Sequence, residues 1–237
     1  ADMKEMTGQG RTFKMVTGYK NLEELNESLG KFSHRILKKD CLDLPEKVYI
    51  RREIQMTAEQ TKAYKELQNF AATQLKNNKL VTINHVMTQI IRLHQISCGF
   101  IGTDDGSITE FTNNRVSELS SILEETDGKI IIWANYRHDI KRIEKLLTEM
   151  YGEESVGTYF GDVPQERREE VINLFQDPDS PMRFFVGNTQ TGGYGITLTA
   201  ASTVIYYSNN YDLEKRLQSE DRAHRIGQMN KVTYIDI

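Results

Sequence analysis

At 237 residues the chain is long enough for one large domain or a domain with an appendage, and 38% hydrophobic and 27% charged residues are ordinary for a globular protein. A net charge of −4 gives no support to non-specific coating of nucleic acid, although a basic groove can sit on an acidic chain. The two cysteines, Cys41 and Cys98, form no close pair, which argues against a disulfide framework or zinc site and predicts two buried free thiols in a reducing compartment. No apolar run approaches the roughly 20 residues that span a bilayer, and no signal peptide is visible, so no membrane partner is expected.

Residues 1–18 carry no clear period and are expected to be poorly ordered. Leu22, Leu25 and Leu29 recur at helical spacing and predict a helix over 21–29. A charged stretch broken by Pro45 follows, then an extended segment through Val48, Ile50, Ile54 and Met56 whose alternation is disturbed at Arg51-Arg52. Thr57 is the predicted N-cap of a helix running to residue 76, and 80–97 reads as a second helix ended by Gly99. From Arg115 onward, helices over 115–125, 136–150, 164–176 and 212–225 alternate with apolar strands over 129–133, 155–159, 182–186, 203–207 and 232–235. Such alternation, with strands apolar on both sides, predicts an α/β domain with a parallel sheet covered on both faces. Ligands of such sheets gather beyond the carboxyl ends of the strands. The chain opens on Ala1 and stops at Ile237 inside an apparent strand, and is read as a piece of a longer polypeptide.

A self-sufficient P-loop enzyme needs G-x-x-x-x-G-K-[ST]. The two Gly-Lys pairs, Gly30-Lys31 and Gly128-Lys129, are followed by Phe32 and Ile130 and lack the upstream glycine. No Asp-Glu pair follows an apolar strand to hold magnesium, and no metal site is expected. The dinucleotide fingerprint fails too: Gly193-Tyr194-Gly195 gives G-x-G, but Leu198 occupies the third glycine position.

The predicted helix over 212–225, with Asp212 as N-cap, places Gln218, Arg222 and Arg225 at i, i+4 and i+7, on one stripe. Arginine suits phosphate because its planar fork donates several hydrogen bonds and keeps its charge. Arg216, off the stripe, is expected to be a surface residue whose removal changes little, and His224 is assigned no chemistry. Upstream, Gly187-Asn188-Thr189-Gln190-Thr191-Gly192-Gly193-Tyr194-Gly195 follows an apolar strand, and its glycines let backbone amides approach a phosphate.

Gln218-Ser219-Glu220-Asp221-Arg222-Ala223-His224-Arg225-Ile226-Gly227-Gln228 closely resembles the last helicase motif of the Swi/Snf family of DNA translocases, a branch of superfamily two. The glycine stretch resembles the family's fifth motif, with Gln190 where the family often has arginine. Residues 129–136 resemble the fourth motif, and Tyr159-Phe160-Gly161-Asp162 the block after it. His34-Arg35-Ile36-Leu37-Lys38-Lys39 and Leu44-Pro45-Glu46-Lys47 resemble the linker between the family's two lobes. The resemblance implies a RecA-like three-layer lobe over 48–237, with a helical insertion at 57–100 and an inter-lobe linker over 1–47. It implies Arg222 and Arg225 as catalytic arginine fingers. Gln218, Gly193 and Gly195 are implied at the nucleotide, and Asn135, Gly161, Asn188, Thr189 and Gln190 at the DNA backbone. ATP and Mg2+ are then held mainly by an N-terminal RecA-like lobe outside this sequence, double-stranded DNA is the partner, and the chain alone is inactive. Location follows the parent: nuclear in a eukaryote, cytoplasmic in a prokaryote or virus. An RNA helicase and a non-catalytic binding module remain as alternatives.

Overall fold

The structure, a computed structural model, describes residues 2–8, 11–34, 36, 41–77, 83–103, 106–192 and 195–237. The chain divides into two compact units, Ala1–Asp43 and Leu44–Ile237.

In the first unit, β1 (Asp2–Gly8) pairs antiparallel with β2 (Arg11–Gly18), with Gly8 opposite Arg11, and α1 (Leu22–Gly30) follows. A hairpin here overturns the expectation of poor order. Two adjacent strands satisfy each other's backbone groups locally, and that pairing needs no apolar period. Cys41 is exposed, against the expectation of two buried thiols, whereas Cys98 is buried in the second unit. Of the linker-like residues, Arg35 and residues 37–39 lie outside the described residues.

The second unit is built on a six-stranded sheet whose neighbouring strands are all parallel. Its strands are β3 (Lys47–Arg51), β6 (Lys129–Trp133), β7 (Val156–Tyr159), β8 (Phe184–Gly187), β9 (Ala201–Tyr206) and β10 (Val232–Asp236), in the order β3-β10-β9-β6-β8-β7. The apolar runs are continuous because each strand except the exposed edge strand β3 feeds two cores. Ile130 and Ile132 face one core with Phe184, Val186 and Ile205; Ile131 and Trp133 face the other with Phe185, Val204 and Tyr206. On the first face pack α4 (Arg115–Glu124), through Leu119, Ile122 and Leu123, and α5 (Arg137–Tyr151), through Ile140, Ile143 and Leu147. On the second pack α6 (Gln165–Gln176), through Val171 and Phe175, and α8 (Leu213–Ala223), through Ala223. This is the RecA-like three-layer arrangement.

Between β3 and α4 stand α2 (Ala58–Asn77), α3 (Ile83–Cys98) and a small hairpin of β4 (Phe100–Gly102) and β5 (Ile108–Glu110) that periodicity did not predict. Thr57 caps α2 in a capping box: its Oγ1 accepts from Gln60 N at 3.2 Å while Gln60 Oε1 accepts from Thr57 N at 3.1 Å. Residues 78–82, which hold the expected start of the next helix, lie outside the described residues. α3 ends at Gly99, whose φ of +93° suits a glycine.

Candidate functional site

α8 is fixed at both ends. Asp212 Oδ1 accepts from Lys215 N at 3.2 Å, the predicted N-cap. Ser219 and Tyr206 join their hydroxyls at 2.6 Å, and Tyr234 OH donates to Glu220 O at 2.9 Å. The helix stops at Ala223, two residues short of the expected end, so Arg225 does not continue the stripe of Gln218 and Arg222. The chain leaves the helix through His224 and a turn in which Gly227 has φ +98°.

The two arginines nevertheless converge. Arg222 Nη1 donates to Ile196 O at 3.3 Å, and Arg225 Nη1 donates to the same oxygen at 3.2 Å and to Thr197 Oγ1 at 3.0 Å. Arg222 Nε also donates to Gln218 O at 3.0 Å. Burial, and then the neighbouring Arg225 charge, hold the Arg222 guanidinium below its ordinary value. Two cations gathered on one carbonyl suit a multiply charged anion such as a nucleotide phosphate. Gln218 spends its amide on Glu214 Oε1 at 2.8 Å.

Ile196 belongs to the crossover from the carboxyl end of β8 to the amino end of β9. This segment opens with α7 (Thr189–Gly192). Its far end is tied to α8 by Leu198 N donating to Arg222 O at 2.9 Å, and to the turn after α8 by Gln228 Nε2 donating to Thr199 O at 3.1 Å and Ala201 O at 2.9 Å. The arginines therefore lie beside the approach to the amino end of β9 rather than beyond a strand's carboxyl end. The glycines here do different things. A Cβ on Gly192 would stand 2.5 Å from the Trp133 ring, and one on Gly187 would stand 2.9 Å from Tyr159 O, so both serve packing. Gly195 has φ +73° and open space on its Cα. Gly193 lies outside the described residues.

The remaining predicted residues collect at the carboxyl edge of three adjacent strands. Asn135 follows β6, Gly161 follows β7, and Asn188, Thr189 and Gln190 follow β8. Asn188 joins these loops: its Nδ2 donates to Asn135 O at 2.7 Å, its N to Tyr159 O at 3.2 Å, and its Oδ1 accepts from Gln190 N at 2.7 Å. Thr189 is buried and its Oγ1 accepts from Asn210 Nδ2 at 3.4 Å, while Gln190 is exposed. Three residues of this edge were missed. Ser208 and Asn210 follow β9, and Ser208 Oγ accepts from Asn135 N at 2.8 Å. Arg137 opens α5, is 68% exposed and pairs with Asp162 at 2.9 Å beside Gly161. A polar run straight after an apolar strand was the available signal for the first two, and a cation in the first turn after β6 for the third.

Residues 114–227 match the helicase conserved C-terminal domain. Transcription regulatory protein SNF2 of Saccharomyces cerevisiae is 29% identical over 230 residues, covering 89% of this chain. Residues 114–227 are thus a helicase C-terminal domain, and the chain is similar to Swi/Snf proteins over most of its length. It spans 13% of the length of SNF2. The chain also matches solved structures. The C-terminal part of the Fun30 ATPase domain superposes with a TM-score of 0.66 at 18% identity, covering 82% of this chain and 85% of that one, which bears on the fold. The Sulfolobus solfataricus SWI2/SNF2 ATPase core in complex with dsDNA superposes with a TM-score of 0.64 at 25% identity, over 90% of this chain and 46% of that one.

Proposed function

We propose that this lobe is the second half of an ATP-driven motor that tracks along double-stranded DNA, with residues 1–47 as the linker from the N-terminal RecA-like lobe and 48–237 as the lobe itself. The convergence of Arg222 and Arg225 on Ile196 O is the observation that carries the reading, because it concentrates two permanent cations on one segment. ATP with Mg2+, held mainly by the N-terminal lobe, supplies the phosphoryl group and the free energy of hydrolysis. The residues here that would hold its phosphate are Arg222, Arg225 and the backbone around Gly195, with Gln218 beside them. Arg225, reaching the site from beyond the helix end, acts as arginine finger and Arg222 supports closure. The carboxyl edge, with Asn135, Gly161, Asn188, Thr189 and Gln190 joined by Arg137, grips DNA phosphates and so positions without reading sequence. The crossover runs from that edge to the arginines, which gives nucleotide closure a covalent route to the DNA grip. The RNA-helicase and binding-module alternatives fare less well: the relatives above are Swi/Snf proteins, and the arginine pair is intact. The parent works in the nucleus of a eukaryote or the cytoplasm of a prokaryote or virus.

The test is Arg225→Ala in the full-length parent. DNA-stimulated phosphate release should fall by roughly 10³-fold or more, the range of arginine fingers, with nucleotide affinity nearly unchanged. Duplex DNA, and not RNA, should stimulate the wild-type enzyme. A variant that hydrolyses ATP like wild type would refute the arginine-finger assignment.

A further inference from the structure

The segment Pro45–Tyr49, where the proposed linker enters the sheet as β3, is bonded to the last turns of α8. Glu220, a carboxylate only 3% exposed, takes Lys47 Nζ at 2.9 Å and Tyr49 OH at 2.8 Å on one oxygen, and Arg216 Nε at 3.0 Å on the other. Lys47 Nζ also stands 3.7 Å from Asp221, the residue before Arg222. His224, between the two arginines, brings Nε2 to 2.7 Å from Pro45 O; a carbonyl only accepts, so Nε2 carries the proton. The same strap is closed from the other side by Lys231, whose Nζ donates to Glu46 at 2.8 Å. Tyr49 stacks on Tyr234 with ring centroids 5.3 Å apart, and burial with the bond to Glu220 pushes its phenol up to about 12, so it remains a donor. The strap thus holds residues 220, 221 and 224, on both sides of Arg222 and directly before Arg225.

We propose that Glu220 is a positioning residue, and that Lys47 and Tyr49 use it to set the pose in which Arg222 and Arg225 are presented, so that the course of the inter-lobe linker is transmitted to the arginines. The inference rests on the proposed function, since it needs residues 1–47 to be the linker and the arginines to serve hydrolysis. Its physical basis is the burial of Glu220. A buried carboxylate is directional and costly to leave unpaired, so the donors that satisfy it fix where its helix lies. Hydrolysis is sensitive to that placement, because a displacement of about 1 Å of a catalytic group can lower turnover by about 10².

The test compares Lys47→Met/Tyr49→Phe with wild type, Lys47→Arg and Arg225→Ala in the full-length parent. The double variant removes both strap donors and leaves Arg216 on Glu220. Rates are taken well below every variant's unfolding midpoint and corrected for folded fraction. The expected result in the double variant is a fall in DNA-stimulated kcat of roughly tenfold or more, with KM for ATP little changed, whereas Lys47→Arg, which keeps a cation at 47 and Tyr49 on Glu220, stays close to wild type. Wild-type kcat in the double variant, or a loss that vanishes on correction for folded fraction, overturns the proposal while Arg225→Ala still abolishes turnover. Indifference of turnover to Arg225→Ala instead overturns the functional reading beneath it.

Discussion

Arg216 shows how far a side chain's role depends on its neighbours. Position on the helix alone makes it a solvated residue. In the fold its guanidinium lies over the Tyr206 ring, 3.4 Å from the centroid, donates Nη2 to Asp236 Oδ2 at 3.0 Å and Nη1 to Asn209 Oδ1 at 2.9 Å, and pairs with the buried Glu220. Removing Arg216 strips one oxygen of the buried Glu220 and the Asp236 carboxylate of their guanidinium, while Lys47 and Tyr49 stay on the other Glu220 oxygen. Arg216→Ala should therefore destabilise the chain by about 3 kcal/mol, read as a shift of the urea midpoint, so it is no neutral control. Lys145, an exposed residue of α5 paired with Glu149 one turn on, is the better one: Lys145→Ala should stay within about 0.5 kcal/mol of wild type.

Among the elements, the crossover between β8 and β9 is closely fitted against the sheet. Its short helix α7 packs Gly192 against Trp133, the only tryptophan in the sequence. Gly192→Ala places a methyl group where the indole ring stands, and a fully buried ring in a close-packed core has little room to yield. The variant should lose about 1–3 kcal/mol, and the tryptophan emission should change in wavelength or intensity as Trp133 shifts. Unchanged emission together with unchanged stability would show that the crossover does not rest on that ring.

For the whole molecule, the proposed function, with ATP held mainly by another lobe, predicts that this chain alone is inert. The isolated chain, given ATP, magnesium and duplex DNA, should release phosphate no faster than buffer. Turnover that co-purifies with the chain and is lost in Arg225→Ala would show a complete site. The fold also predicts a pH dependence. Asp139, in the first turn of α5, is fully buried with neither carboxyl oxygen hydrogen-bonded. Burial pushes its carboxyl up from 3.8 to about 7, against the opposing pull of Arg142 and Arg115. Between those values the folded chain keeps a proton that the unfolded chain has released. Its contribution to stability is therefore complete below about pH 4 and declines as pH rises towards 7, by up to about 1.4 kcal/mol per unit. Asp139→Asn removes the titration, so its stability relative to wild type should improve between about pH 5 and about pH 8 in urea unfolding.

Much of the second unit was determined by the sequence alone. Continuous apolar strands alternating with amphipathic helices can bury themselves only as a parallel sheet between two helical layers, and local chemistry marked Thr57, Gly99 and Asp212 as element ends. The eleven residues from Gln218 to Gln228 named the family before any coordinates. The first hairpin was not legible, because two strands that pair with each other need no apolar period. Nor was the end of α8, where a turn through Gly227 ends what looked like one stripe. Only the tertiary structure decided that Arg222 and Arg225 still meet, because they meet on the carbonyl of Ile196, a residue from a different part of the chain. It alone decided that Arg216 is held and that Glu220 is bound to Lys47 and Tyr49, some 170 positions earlier. Periodicity and spacing report what neighbouring residues dictate to one another; a hydrogen bond across the sheet depends on how the layers close, which no local pattern records.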